Sequence, residues 1–455
     1  MNVLKFGGTS MADEHSWKQI LDIISDSGSS VTVVSATSKT TNALLEAAEL
    51  ARTGSYEEAI TISKHLKEKH DRILNNFLNE YGKQDQERIK NEGQVWIQKQ
   101  IKTLDHFLLG IFTLGELSPR TLDAVSSLGE RLSSYLLPLC GQSLGLSTVF
   151  MDASDIVFTD STFGKAVPHM PTLRKNSELI IQSLNDGNFV ITGGFYGQNE
   201  LGEITTLGRG GSDFSASLIA NAIRAKELQI WTDVSGMYTC DPRFVNAAHN
   251  IPEITYKEAA ELAYFGAKIL HPATIQPAIE LNIPVVIKNT FEPEHPGTKI
   301  SSEAPDTGDI RAIAFKRNIT IITISSSRML MAYGFLAGVF STFEKNKISV
   351  DLVTTSEVSI SMSVDNDTNL EQALKELEQF GEVTVTKNQT LICLVGHDFL
   401  TSKGLAKSVF TAVAEIPVRM ISQGSSEINL SIVVDDFNTI DAVQKLHASF
   451  FEHVN

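Results

Sequence analysis

Near its end the chain repeats itself. "ISVDLVTTSEVSISMSVD" at 348–365 is answered by "IPVRMISQGSSEINLSIVVD" at 416–435, a spacing of about 70 residues. Each copy follows a helical stretch, "LAGVFSTFEKN" or "LAKSVFTAVAE", and precedes another, "LEQALKELEQF" or "TIDAVQKLHASF". Each unit therefore reads β-α-β-β-α. The first gains a closing strand in "EVTVTKNQ" at 382–389, which completes the ferredoxin-like βαββαβ order. The second runs out after its helix, and an open sheet edge invites another strand. The segment "IRAIAFKR" at 310–317 lies before the first repeat and is expected to fill that edge, so that the two units interlock.

Upstream, the period changes. From 1 to about 295, β-rich runs ("SVTVVSA", "NFVITGGF", "LQIWTDV", "IPVVIKN") alternate with amphipathic helical stretches, the pattern of a mainly parallel sheet covered by helices. Residues 43–138 interrupt it with long helical patterns, so a helical subdomain is expected on the sheet. The Pro/Gly/Ser-rich stretch at 291–309 reads as a linker. These readings divide the chain into an α/β domain at 1–297 and two ferredoxin-like domains at 310–389 and 390–455, the last completed by a strand from 310–317. A length of 455 residues suits two or three domains.

Composition narrows the function. A net charge of −16 with no basic cluster argues against nucleic acid and anionic lipid. No apolar run approaches the ~18 residues of a membrane span. The amino-terminal "NVLKF" lacks the features of a secretory signal, so a cytoplasmic location is expected. Cys140, Cys240 and Cys393 are in no metal-ligand spacing and read as core thiols; no metal site is expected.

Two stretches look built for anions. "VLKFGGTS" at 3–10 sets a lysine before paired glycines and two hydroxyls, yet matches neither the Walker nor the dinucleotide pattern. It would equally make a strand-to-helix turn with Ser10 as the helix cap. "TTLGRGGSD" at 205–213 leads from a short hairpin through three glycines and one arginine into a helix starting at Ser212 or Asp213. Glycines allow close backbone approach, a helix start offers free N–H groups, and arginine binds a carboxylate with two parallel hydrogen bonds. Thr232 and Asp233 end a strand before a glycine turn that leads to Tyr238 and Arg243, where a parallel sheet presents its ligand crevice. "ELAYFGAKILHP" adds Lys268 on a helical stretch, and "VSSLGERLSSYLL" adds Glu130.

Taken together with "VVSATSKTTN", "YFGAKILHPATI" and the repeated carboxyl-terminal units, these motifs occur in the order and spacing of aspartate kinases. The chain thus resembles the amino-acid kinase family members that carry two ACT domains, over essentially its whole length. It resembles the monofunctional type, without a homoserine dehydrogenase part. The resemblance implies phosphorylation of the L-aspartate β-carboxylate by ATP with Mg2+, the first step of lysine, threonine and methionine biosynthesis. It implies that Lys5 and the backbone N–H groups of Gly7 and Gly8 hold the ATP phosphates, with Lys268 as a second cation. Arg209 would clamp a substrate carboxylate, Glu130 would take the α-ammonium, Thr41 and Ser212 would add hydrogen bonds, and Asp213 would orient a lysine. Thr232, Asp233, Tyr238 and Arg243 are similar to the family's nucleoside-binding residues. For the ACT pair the resemblance implies an effector site of Met329, Phe335, Leu336, Ser349, Val350, Asp351, Ser356 and Glu357, with Asp351 meeting an effector ammonium, and a homodimer or tetramer. The stretch "VDLVTTSEVS" resembles the lysine-sensitive type, whereas Ala332 stands where some lysine-binding members have serine. Lysine, threonine, both together, or no effector remain open here, as do another amino-acid kinase activity and a silent amino-acid sensor.

Overall fold

The computed structural model describes all residues except 267–269, 306–309, 330–332, 367, 424–426 and 453–455. The chain forms two compact units, Met1–Met237 with Ile269–Ala304, and Tyr238–Lys268 with Pro305–Asn455. This differs from a continuous 1–297 block, for a physical reason. The Thr239 carbonyl accepts the Ile313 N–H at 2.8 Å and its hydroxyl meets His447 Nε2 at 3.0 Å. Glu258 pairs with Arg311 at 3.4 Å with both side chains almost fully buried. The segment from Tyr238 is thereby built into the second unit.

In the first unit the strand order is Thr148–Met151, Phe189–Gly193, Ser30–Val34, Asn2–Phe6, Leu228–Thr232, Val285–Asn289 and Thr298–Ser301. All neighbours are parallel except the last pair. Every residue of Ser30–Val34 is buried, as expected of a strand covered on both faces. The chain winds one way from Asn2–Phe6 to Ser30–Val34 and later returns to its other side with Leu228–Thr232, so a crevice opens at the strands' carboxyl ends. The helical insertion is Thr40–Arg52, Tyr56–Tyr81, Gln86–Leu114 and Pro119–Ser143. Tyr56–Tyr81 buries Ala59, Leu66, His70, Ile73, Leu74 and Phe77 at helical spacing, and one core joins this face to Leu4, Phe6 and Ile191 of the sheet. Helix Glu14–Asp26 is capped by Asp13, which accepts the Ser16 N–H at 2.9 Å. Ser10 is therefore not the cap; it is buried against Thr290, hydroxyl to hydroxyl at 2.7 Å.

The second unit is built on a six-stranded antiparallel sheet in the order Leu352–Thr355, Ser359–Val364, Ile310–Ser325, Glu382–Gly396, Asn429–Asp435 and Val418–Ser422. Its two central strands are long enough to serve both repeats. Ile310 to Lys316 pair with Leu391 to Gly396 beside Asn429–Asp435, while Ile319 to Ser325 pair with Glu382 to Gln389 beside Ser359–Val364. The segment 310–316, expected to serve the second repeat, pairs there with Leu391 to Gly396. The change of partner falls at a register shift, where Asn318 and Asn388 take φ of 59° and 56°, a left-handed conformation that asparagine tolerates. Each repeat keeps its own core, one around Phe343, Met362 and Leu377, the other around Ile392, Val409 and Leu446. All three cysteines are free and buried. No helix of the described residues is long and apolar enough to cross a membrane.

Candidate active site

Lys5 is the penultimate residue of the central strand, between Val33 and Ile230. Its ammonium lies 2.6 Å from Asp213 Oδ1, and the two side chains are only 11% and 16% exposed. Asp213 sits in the first turn of helix Gly211–Ala222, which begins slightly earlier than expected because Gly210, at φ 73°, serves as its amino-terminal cap. The sheet holds this helix end closely. A Cβ on Gly194 would lie 2.7 Å from Ser212 Cα, and the Ser215 hydroxyl accepts the Phe195 N–H at 2.9 Å.

Lys5, Thr41, Arg209, Ser212 and Asp213 line one cavity of about 480 Å³, joined there by Ser35, Asp123 and Phe195. Arg209 is exposed at its rim and forms no ion pair among the described residues. Glu130 is not among the residues lining the cavity; it is buried beside Lys5, 4% exposed, and accepts the Ala36 N–H. Its Oε2 has no hydrogen-bond partner among the described residues. Burial pushes the Glu130 carboxyl up to about 8, against the lowering by backbone N–H groups and Lys5. Without a cation the carboxyl is therefore mostly protonated at neutral pH, and a cation brought to its open oxygen favours its ionised form.

Sequence reasoning missed Asp123. It is 3% exposed and accepts Gly164 N–H at 2.9 Å, Thr206 N–H at 2.8 Å and the Thr206 hydroxyl at 2.7 Å, tying down both segments next to the Arg209 loop. The available signal was its spacing: two helical turns before Glu130, it shares that residue's face of Pro119–Ser143.

The expected nucleotide residues fare differently. The Gly7 N–H is already committed to the Trp231 carbonyl at 3.2 Å, because the residue prolongs the strand pairing. A Cβ on Gly7 would meet Lys5 Nζ at 3.6 Å, an ordinary contact. Gly8 follows it in the same loop, half-buried. Thr232 ends its strand with its hydroxyl donating to exposed Asp233 at 3.1 Å. Tyr238 and Arg243 belong to the other compact unit, where Arg243 is paired with Asp241 at 2.6 Å. Lys268 lies outside the described residues.

The expected effector residues all lie in the first repeat. Met329 ends a short turn, Phe335 and Leu336 open helix Phe335–Lys345, and Ser356 and Glu357 form the exposed turn between Leu352–Thr355 and Ser359–Val364. Ser349 is exposed and Val350 packs on that repeat's core. Asp351, its side chain 3% exposed, is already satisfied: it accepts from the Tyr264 hydroxyl at 2.6 Å and from Lys316 Nζ at 3.1 Å. Ala332 lies outside the described residues.

Residues 1–289 match the amino acid kinase family, and residues 322–379 and 392–450 each match the ACT domain. The chain is 37% identical to lysine-sensitive aspartokinase 3 of Escherichia coli, covering 99% of both chains. It is 38% identical to chloroplastic aspartokinase 1 of Arabidopsis thaliana, over 99% of this chain and 80% of that one. Among solved structures it resembles Escherichia coli aspartokinase III in complex with aspartate and ADP, at 35% identity and a TM-score of 0.81, over 99% of this chain and 100% of that one. The complex of that enzyme with lysine and aspartate gives 35% identity and a TM-score of 0.84, over 99% of each chain.

Proposed function

Because the chain belongs to the amino acid kinase family and, within it, to the aspartokinases, it is an aspartate kinase, and we propose that the cavity around Lys5 and Arg209 is its acceptor and phosphoryl-transfer site. It phosphorylates the β-carboxylate of L-aspartate with ATP and is regulated through its ACT domains. The observation that carries the assignment of the site is one juxtaposition. A lysine held at 2.6 Å by an aspartate lines the same cavity as an arginine that has no carboxylate partner among the described residues.

A β-carboxylate oxygen attacks the γ-phosphorus, the bond to the β–γ bridging oxygen breaks, and ADP leaves. The nucleophile is ionised at neutral pH, so no general base is required. The protein's task is then to position the reactants and neutralise charge. Lys5 stabilises charge on the transferred group, and Asp213 fixes the Lys5 ammonium in place. Arg209 grips the substrate carboxylate, and Thr41 and Ser212 add hydrogen bonds. Glu130 receives the α-ammonium, which satisfies its open oxygen. Magnesium arrives with the ATP phosphates as part of the substrate. Gly8, Thr232 and Asp233 complete the nucleotide's surroundings in this reading. Lysine is the effector best supported by the relatives, acting at the first repeat, with ACT pairing between copies giving a dimer or tetramer. The test is a coupled assay for ADP with L-aspartate, with L-glutamate and with no acceptor. Turnover that requires L-aspartate is expected, and equal rates with L-glutamate would reject the acceptor assignment.

A further inference from the structure

The loop 35–41, whose last two residues open helix Thr40–Arg52, forms one wall of the cavity, contributing Ser35 and Thr41 to its lining and the Ala36 N–H to Glu130. It passes through Lys39 at φ 63°, a left-handed conformation unfavourable for a lysine, so the loop needs something to hold its shape. Helix Pro119–Ser143 holds one side, with the Ser133 hydroxyl donating to the Ser35 carbonyl at 2.9 Å. The other side is held by two successive residues of helix Tyr56–Tyr81. Lys69 Nζ donates to the Ser38 carbonyl at 2.5 Å and to Thr40 Oγ1 at 3.0 Å. Thr40 and Thr37 share a hydrogen bond of 2.6 Å, Thr37 meets His70 Nε2 at 3.0 Å, and His70 Nδ1 meets the Leu66 carbonyl at 2.7 Å.

These bonds can be ordered in only one direction while His70 is neutral. A carbonyl only accepts, so the His70 proton is on Nδ1 and Nε2 accepts from Thr37. The Thr37 oxygen then accepts from Thr40, and the Thr40 oxygen accepts from Lys69. Burial keeps His70 neutral, lowering it to about 4, so the chain of donors stays intact across the working range. Lys69 is half-buried and lowered to about 8 by burial and by the like charges of Arg72 and Lys39. Asp71, two residues further along the same helix, is taken by Lys67 at 2.6 Å. Keeping an ammonium here against burial and two like charges is costly, and among the described residues its hydrogen bonds go to Ser38 and Thr40.

We propose that Lys69 and His70 are positioning residues for the acceptor amino acid, holding loop 35–41 in the shape that presents Thr41 and the Ala36-bonded Glu130 to the substrate. This rests on reading the cavity as the aspartate site. Neither residue touches the reactants; both act through the loop.

The test compares Lys69→Met, Lys69→Arg and Thr37→Val by steady-state kinetics with each substrate varied, alongside thermal melting. Thr37→Val conserves volume and removes only the hydroxyl link, so it reads the same chain if Lys69→Met fails to fold. Lys69→Met and Thr37→Val are expected to raise KM for aspartate at least fivefold with KM for ATP within twofold, and Lys69→Arg to restore most of the loss. Equal changes in both KM values, or a lowered melting temperature with unchanged KM for aspartate in the folded enzyme, would overturn the positioning role and leave the aspartate assignment standing. A wild type that does not turn over aspartate would overturn both.

Discussion

Lys5, Asp213, Arg209 and Glu130 differ in what each should reveal when altered. In the proposed site Lys5 meets charge that develops during transfer, so Lys5→Met should lower kcat by about 100-fold or more, as expected for electrostatic groups of this kind. A folded variant with near wild-type kcat would reject that role. Arg209→Lys keeps the charge but loses the planar fork, so KM for aspartate should rise about tenfold with a much smaller change for ATP. Equal losses for both substrates would make Arg209 a support for its loop. Glu130 has its folded pKa raised to about 8, above the ordinary ~4.3 of an unfolded glutamate. The native state then binds more protons than the unfolded state between those values. Its contribution to stability is full below about pH 4 and lost as pH rises through 8. Without substrate, Glu130→Gln should therefore melt progressively higher than wild type as pH is raised from 5 to 9. Parallel melting curves across that range would show that the carboxyl is already ionised.

At the scale of elements, the cavity depends on close approach between pieces far apart in sequence. Asp123 on helix Pro119–Ser143 fastens Thr206 and Gly164 through three hydrogen bonds, two of them from backbone N–H groups, of which that of Thr206 is buried with it. Asp123→Ala leaves the buried Thr206 donors unsatisfied, at about 1–3 kcal/mol each. It should lower the melting temperature and raise KM for aspartate together by loosening the segments next to Arg209; an unchanged melting temperature would deny the aspartate its anchoring part. This residue also marks where reading the sequence stops. "TTLGRGGSD" and "KFGGTS" announce themselves because glycines, a helix start and a basic residue stand side by side. Asp123 is one acid on a helix, and its partners lie 41 and 83 residues away. The buried His70 was equally silent, since its use appears only once helix Tyr56–Tyr81 packs on the loop after Ser30–Val34. Even Gly7 misleads: its place in the motif suggests a phosphate donor, but strand pairing takes its N–H.

Over the whole molecule, the interlocked repeats were legible because a second copy lacking its last strand demands one from elsewhere. The division into compact units was not, because the segment from Tyr238 joins the second unit through Thr239 and the buried pair of Glu258 with Arg311, contacts without a local pattern. The same unit holds the next consequence. Asp351, expected to receive an effector ammonium, already receives one from Lys316, which also pairs with Asp365 at 2.5 Å, while Tyr264 donates to the same carboxylate. An incoming lysine must compete with this internal ammonium for a buried carboxylate, and its inhibition equals its differential affinity for the two states. Removing the competitor by Lys316→Met should lower the half-inhibitory lysine concentration at least threefold, with kcat in the absence of lysine within about threefold of wild type. Removing the carboxylate by Asp351→Ala should raise that concentration at least tenfold relative to the variant's own uninhibited rate, the ~1.4 kcal/mol of one charged contact. The measurement is a lysine titration of the three proteins, repeated with threonine and with both amino acids. Unchanged inhibition of Asp351→Ala would move the effector away from this carboxylate. A wild type indifferent to every combination would leave the ACT pair as an assembly module.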